Sequence, residues 1–125
     1  MAFTLTTRLE FAAAHRLRNY DGNCSRLHGH NWKIEICVTG DKLDEAGMLI
    51  DFKDLKCRGN ALLTELDHFY LNDIPPFDEE LNPTAENIAF YLFQRLSQEI
   101  NNDRMTIKSV TAWETDRSAA TFSLD

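Results

Sequence analysis

Two segments near the start of the chain alternate apolar and polar residues, the pattern of β-strands that bury one face. In the first, Phe3 to His15, the odd positions are mostly apolar, whereas Arg8 and Glu10 lie at even positions. The alternation resumes from His28 to Thr39. Turn-forming residues fill the stretch 16–27. The pattern therefore predicts two neighbouring strands joined by a loop.

The middle of the chain changes to helical spacing, with apolar residues recurring every three or four positions. Asp51 is a suitable N-cap for a first helix, which we expect to be weakened at Gly59 and to end near residues 67–72. Pro83 and Thr84 are expected to begin a second helix. Both helices are predicted to pack one apolar side against a sheet.

Three further extended segments complete the pattern. Met48 to Ile50 is predicted as a short strand, and Met105 to Glu114 and Ala120 to Leu124 as longer ones. The order of elements predicts one α+β domain over residues 1–125, with the helices on one face of an antiparallel sheet. Two helices cover only one face, so an apolar opposite face would require a partner subunit.

Length and charge indicate a chain with its own core that does not bind nucleic acid in general. A chain of 125 residues is long enough to form its own hydrophobic core. The net charge of −7 argues against general nucleic-acid binding. The first 33 residues nonetheless carry a net charge of +3. This basic excess either attracts an anionic substrate locally or is only a group of solvated charges.

The cysteines and the apolar runs indicate a reducing compartment. Cys24, Cys37 and Cys57 are an odd set at irregular spacing. We find no secretory signal and no apolar run that approaches a membrane span. A cytoplasmic protein is therefore expected. Cys37 and Cys57 are expected to be ordinary core or half-buried residues.

The string from Cys24 to His30 is the most informative in the chain. His28 and His30 are two apart, so an extended backbone directs both imidazoles to one side. His15 ends the first strand and meets them if the two strands pair as a hairpin. Three histidines without cysteine fit a catalytic zinc site, which keeps its fourth position open.

Alternatives to this metal site stay open at the level of the sequence. Imidazole also suits copper, iron and nickel. The histidines are otherwise separate residues satisfied by ordinary hydrogen bonds, or Cys24 is a fourth ligand in a closed structural site. In the catalytic interpretation, Cys24 lies near zinc and Arg26 and acts as a thiolate base.

Two acidic positions are weaker candidates. Asp67 precedes His68, and a carboxylate beside an imidazole can fix its tautomer. Glu114 ends a mostly apolar strand and could accept two hydrogen bonds from an amidine-like edge such as that of a pterin. Taken alone, the pair is typical of a solvent-facing helix end and Glu114 of a surface residue.

Several linked motifs resemble one known family, the 6-pyruvoyltetrahydropterin synthases and their bacterial relatives, the 6-carboxytetrahydropterin synthases of queuosine and deazapurine biosynthesis. The resemblance runs nearly end to end. It rests on Phe11-Ala-Ala-Ala-His15-Arg-Leu17, Cys24-x-x-x-His28-Gly-His30, Ile50-Asp-Phe52, Leu66-Asp-His68, Leu71-Asn72, Asn82-Pro-Thr84-Ala-Glu86-Asn87 and Trp113-Glu114-Thr115.

The resemblance implies the tunnelling fold, a four-stranded antiparallel sheet with two helices on one side, assembled as two stacked trimers with active sites between subunits. It implies that zinc is bound by His15, His28 and His30 and that Cys24 is the base. Asp67 and His68 would form a proton relay from a neighbouring subunit. Glu114 would anchor the pterin ring, with Thr84 and Glu86 near the same pocket.

The implied substrate is 7,8-dihydroneopterin triphosphate. The spacing Cys-x-x-x-His-Gly-His is similar to the bacterial 6-carboxy type, because the animal pyruvoyl enzymes have a longer gap. We therefore expect 6-carboxytetrahydropterin, acetaldehyde and triphosphate as products. The alternatives are the pyruvoyl synthase reaction on the same substrate, a non-catalytic metal- or pterin-binding protein and a structural zinc domain.

Overall fold

The two N-terminal strands pair along their whole length in the computed structural model, which describes residues 1–125. β1 spans Phe3–His15 and β2 spans His28–Gly40, with Phe3 opposite Gly40 and His15 opposite His28. The predicted hairpin is confirmed in type and nearly in bounds. Its register brings the C-terminal end of β1 to the N-terminal end of β2.

The remaining elements complete a mixed sheet with two helices. They are α1 (Phe52–Leu63), β3 (Phe69–Tyr70), α2 (Ala85–Ile100), β4 (Thr106–Thr115) and β5 (Ser118–Ser123), with short 3₁₀ turns at Asn23–Ser25 and Leu71–Asp73. The sheet order is β3-β1-β2-β4-β5. The predicted α+β class with two helices is confirmed, although the sheet has five strands instead of the four that we expected.

The additional strand lies where a helix end was predicted. α1 ends at Leu63, and Phe69 and Tyr70 form a two-residue parallel pairing with Ala13 and Ala14 of β1. Helical spacing continues through the buried Leu66, but a backbone turn separates it from α1. The short strand predicted at Met48–Ile50 is absent: Leu49 and Ile50 are buried in a bend instead of a ladder, and Met48 is exposed.

One face of the sheet and the two helices enclose the core. Trp32, Ile34, Ile36 and Val38 are all at most 1% exposed, and they alternate along β2 as the pattern predicted. They pack in one cluster with apolar residues of both helices: Leu55, Leu62, Leu63, Ile88, Ala89, Leu92 and Leu96. Both helices begin as predicted, since Asp51 accepts a hydrogen bond from the Lys53 N–H and Thr84 accepts one from the Asn87 N–H.

The opposite face of the sheet is polar, so it creates no need for an apolar partner. Arg8 and Glu35 form an ion pair of 2.8 Å across β1 and β2, and Lys33 pairs with Asp116 at 2.8 Å. Cys37 is half-buried there as expected. Cys57 is exposed on α1, which corrects the prediction of a buried or half-buried residue. Neither helix is long and apolar enough to cross a membrane.

Candidate metal centre and active site

Three histidines converge where β1 ends and β2 begins. His15 lies directly opposite His28, and His30 lies opposite Ala13, two positions earlier on β1. The ring centroids of the three imidazoles are 4.5 to 5.2 Å apart. One ring nitrogen from each histidine lies within 4.8 Å of the others, so the three side chains can hold a metal ion.

Backbone carbonyls determine which nitrogen of two rings is free to bind a metal. His15 Nδ1 lies 2.7 Å from the Pro83 carbonyl oxygen, and His28 Nδ1 lies 2.7 Å from that of Arg26. A carbonyl only accepts, so each Nδ1 carries the proton and each Nε2 presents a lone pair. The two Nε2 atoms are 3.0 Å apart. Two lone pairs at this distance repel each other unless a cation lies between them, and the residues therefore fit a bound metal.

Burial favours the neutral form of His15 and His30, which is the form that binds a metal. His15 is fully buried beside Trp32, and burial lowers its pKa below the usual value, with the neighbouring imidazoles His28 and His30 acting in the same direction. Burial likewise lowers the pKa of His30, against the opposing effect of Glu114. The Nε2 atom of His30 is buried without a hydrogen-bond partner. A bound metal ion would be the missing partner of this buried nitrogen.

The carboxylate of Glu114 lies beside two of the three imidazoles. Its Oε2 atom is 3.9 Å from His15 Nε2, and its Oε1 atom is 3.8 Å from His30 Nε2. The side chain comes from the end of β4 and is 29% exposed. It therefore reaches both the metal site and solvent, where a bound small molecule would contact it.

Cys24 lies in the 3₁₀ turn of the loop between β1 and β2. Its backbone carbonyl accepts a hydrogen bond of 2.8 Å from the Leu17 N–H, and its side chain is half-buried. The group of metal-ligating atoms comprises the three histidines without the Cys24 sulfur. The arrangement is thus that of a three-ligand site with a separate thiol in the adjoining loop.

Asp67 and His68 form a pair on the far edge of β1. His68 has a positive φ of 65°, which takes it out of helical geometry and allows its Nδ1 to lie 2.9 Å from the Asp67 carboxylate. The hydrogen bond from the Ala12 N–H lowers the pKa of Asp67, and that with His68 lowers it further. The His68 side chain is 82% exposed, so it points outward from the chain.

Two other predicted pocket residues lie at the start of α2. Thr84 follows the carbonyl that holds His15, but its hydroxyl oxygen already accepts the Asn87 N–H as a helix cap. Glu86 is exposed in the first turn and has no ion pair. The structure therefore brings Thr84 next to the metal ligands through Pro83, whereas it leaves Glu86 on the surface.

Some basic side chains near the metal site already have hydrogen-bond or ion-pair partners, and others have none. Arg8 and Lys33 are paired with carboxylates on the polar face of the sheet. The Arg18 guanidinium donates to the carbonyls of Phe77 and Leu81. The side chains of Arg16 and Arg26 are exposed and make no ion pair. Both guanidinium groups therefore remain available to an anion.

The residues that support the site were not assigned a role by the sequence. Asn72, Asn82 and Pro83 belong to motifs of the family resemblance, yet their hydrogen bonds to His15 and to the residues after it depend on the tertiary fold. The only signal in the sequence is that Asn72 follows a leucine and Asn82 precedes a proline. Such local patterns are typical of turns and do not identify the backbone groups that the amides contact.

Comparisons with known proteins agree with this architecture. The family described as 6-pyruvoyl tetrahydropterin synthase matches residues 4–125. The 6-carboxy-5,6,7,8-tetrahydropterin synthase of Synechocystis is 38% identical over 90% of this chain and 86% of its own. The dihydroneopterin monophosphate aldolase of Pyrococcus furiosus is 34% identical over 86% of this chain and 85% of its own.

A solved structure supports the same assignment. The 6-pyruvoyl tetrahydropterin synthase of Caenorhabditis elegans superposes with a TM-score of 0.86 at 28% identity, covering 100% of this chain and 97% of that one. The two helices on one face of a sheet that is antiparallel except at β3 therefore form the tunnelling fold. The chain belongs to the 6-pyruvoyl tetrahydropterin synthase family.

Proposed function

We propose that this protein is a zinc-dependent 6-carboxy-5,6,7,8-tetrahydropterin synthase. It would convert 7,8-dihydroneopterin triphosphate and water into 6-carboxytetrahydropterin, acetaldehyde and triphosphate. The observation that carries the proposal is the cluster of His15, His28 and His30, whose buried ring nitrogens face one point beside the Glu114 carboxylate. Three imidazoles leave an open coordination position for a substrate.

The proposal assigns one role in the reaction to each side chain of the site. Bound zinc would polarise side-chain oxygens of the substrate and acidify the neighbouring C–H and O–H groups. Glu114 accepts hydrogen bonds from the amidine edge of the pterin ring and so fixes the ring beside the metal site. The Cys24 thiolate would take up a proton from the substrate side chain, and His68, held in one tautomer by Asp67, would donate a different proton to it. Thr84 would border the same pocket, and Glu86, which is exposed on the surface of this chain, would do so only as a further expectation from the family resemblance.

We propose further that Asp67 and His68 act in the site of a neighbouring subunit, within a hexamer of two stacked trimers. The exposed imidazole of His68 favours this arrangement. β1 pairs with β3 only at Ala13 and Ala14, which leaves most of one edge of β1 unpaired, and β5 forms the other free edge of the sheet. Free strand edges are templates for pairing with another chain, so they suit strand pairing between copies.

Mixing two inactive variants tests the shared site. Refolding equal amounts of Cys24→Ala and His68→Ala chains together is expected to restore roughly a quarter of the wild-type activity, since one site in four receives both intact residues in a symmetric assembly. Each variant refolded alone provides the control. Mixed chains that stay as inactive as the separate ones would contradict a site shared between subunits.

The choice of product depends on the loop spacing and on the relatives. Cys24 precedes His28 by four residues, as in the bacterial 6-carboxy type, and the Synechocystis relative is named for that reaction. The rival pyruvoyl synthase activity acts on the same substrate. The Pyrococcus furiosus relative is named as an aldolase of dihydroneopterin monophosphate, so that compound is a necessary second substrate in any test.

The experiment is an incubation of zinc-loaded protein with each dihydroneopterin phosphate, followed by identification of the products by mass. The proposal predicts a carboxypterin, acetaldehyde and triphosphate from the triphosphate. A pterin with a diketo side chain would indicate the pyruvoyl reaction. Binding without turnover of either phosphate would indicate a non-catalytic pterin-binding protein.

Metal removal distinguishes a catalytic from a structural zinc site. A chelator is expected to abolish turnover while a cooperative unfolding transition remains, because 25 buried apolar residues form a core that does not depend on the metal. Circular dichroism during a thermal scan, with and without chelator, provides the measurement. Loss of the folded signal at room temperature would instead indicate a structural zinc domain.

A cytoplasmic location accords with three free cysteines.

A further inference from the structure

Just beyond the end of β1, two asparagine side chains take the place of a partner strand for Arg16 and Arg18. The Arg16 N–H donates to the Asn72 side-chain oxygen at 2.9 Å, and the Asn72 amide donates back to the Arg16 carbonyl at 3.0 Å. Asn82 repeats this arrangement at Arg18, with both hydrogen bonds at 2.9 Å. We call these four hydrogen bonds the asparagine clamp.

The clamp fixes the direction in which the intervening residue points. In a strand, the N–H and C=O of one residue face one edge, and those of the next residue face the opposite edge. Arg16 and Arg18 both face the asparagines, so Leu17 faces the other way, toward the loop. Its N–H donates to the Cys24 carbonyl oxygen at 2.8 Å. The clamp therefore positions the loop residue that carries the thiol through a single intermediate hydrogen bond.

The two asparagines are themselves anchored to elements around the metal site. Asn72 follows β3, which pairs with the C-terminal part of β1. The Asn82 carbonyl accepts a hydrogen bond of 2.9 Å from the Asn87 side chain in α2. The next residue, Pro83, holds the ring of His15 through its carbonyl. Two adjacent residues, Asn82 and Pro83, thus hold one half of the clamp and one metal ligand.

We propose that Asn72 and Asn82 are positioning residues that hold the Cys24 turn in a fixed place relative to the three histidines. The role of the Cys24 thiol in this inference rests on the proposed function, whereas the clamp itself rests only on the hydrogen bonds. Each asparagine makes two hydrogen bonds to one residue, because its amide group is both a donor and an acceptor. Aspartate keeps the acceptor but loses the donor.

Amide hydrogen exchange tests the clamp without any reference to activity. In Asn82→Ala and in Asn72→Ala, the Leu17 N–H is expected to exchange at least about tenfold faster than in the wild type. Asn102→Ala is the matched control, since the Asn102 side chain also accepts two backbone N–H groups, those of Arg104 and Met105, far from the site. Unchanged exchange at Leu17 in a folded clamp variant would overturn the inference.

A double-mutant cycle tests whether the clamp acts through Cys24. Asn82→Ala is expected to lower kcat about tenfold while zinc content stays equimolar. The kcat of Asn82→Asp is expected to lie between those of the wild type and Asn82→Ala. In a Cys24→Ala background, the same substitutions are expected to leave the residual kcat unchanged within about twofold. An equal loss in both backgrounds would show that the asparagines act elsewhere. If the wild type turns over neither pterin phosphate, the proposed function fails while the exchange experiment still decides the clamp.

Discussion

His28→Ala is expected to lose both the bound metal and all measurable turnover. His28 supplies one of the three ring nitrogens, and its Nε2 atom lies 3.0 Å from that of His15. Two imidazoles alone leave a weak site. Loss of an outer-shell partner of a metal ligand already lowers metal affinity about 10- to 100-fold, so loss of the ligand His28 itself should lower zinc affinity by more than about 100-fold. Metal analysis of the dialysed protein measures the loss directly.

The control for His28→Ala is His68→Ala, which removes an imidazole outside the ligand group. His68 is 82% exposed and bonded to Asp67, so its loss should leave the zinc content unchanged. The backbone of β2 should remain paired in His28→Ala, because its core-facing residues are untouched. Equimolar zinc retained by His28→Ala would remove this histidine from the ligand set.

Cys24→Ala is expected to retain zinc and to lose about 100- to 10,000-fold in kcat, the range of a missing general base. The sulfur lies outside the group of ligating atoms, and its removal leaves the three imidazoles in place. Zinc content and steady-state turnover, measured on the same preparation, separate binding from catalysis. Cys57→Ala is the matched control, because Cys57 is exposed on α1, remote from the loop.

Two outcomes would contradict this role for Cys24. Full activity in Cys24→Ala would mean that another group removes the proton. Loss of zinc together with activity would mean that the thiolate is a fourth ligand, and the site would then be a closed structural one. The hydrogen bond from Leu17 to the Cys24 carbonyl involves only backbone atoms, so the substitution itself does not disturb the turn.

Much of the fold was predictable because its elements have strong local signals. The alternation in β1 and β2 extends over 13 residues each and fixes which side chains face the core. The cap Asp51 was identified correctly from residue type, and the start of the second helix was placed correctly at Pro83 and Thr84, where Thr84 is the N-cap. The α+β class and the family followed from these elements and from the linked motifs, and both are confirmed.

The parts that failed depend on contacts between distant segments. β3 consists of only Phe69 and Tyr70, too short for any periodic pattern, and its pairing with β1 decides where the helical region ends. The polar outer face was recognisable from Arg8 and Glu10, but the ion pairs that order it cross between strands. Sequence patterns carry no information about such partners.

The candidate site shows the same division. The convergence of His15, His28 and His30 follows from strand parity and hairpin register, which the sequence specifies. The carbonyls that select the free nitrogen of two rings come from Pro83 and Arg26, and only the folded chain reveals them. The roles of Cys24, Asp67, His68 and Glu114 in catalysis stay predictions.

The most direct test of the metal site is X-ray absorption spectroscopy of the zinc-loaded protein. The account predicts three nitrogen scatterers at about 2.0 Å and one oxygen, with no sulfur shell. Addition of a dihydropterin substrate should change the oxygen contribution and leave the three nitrogens. A sulfur scatterer at about 2.3 Å, or fewer than three imidazole nitrogens, would contradict an open three-histidine centre beside a free thiol.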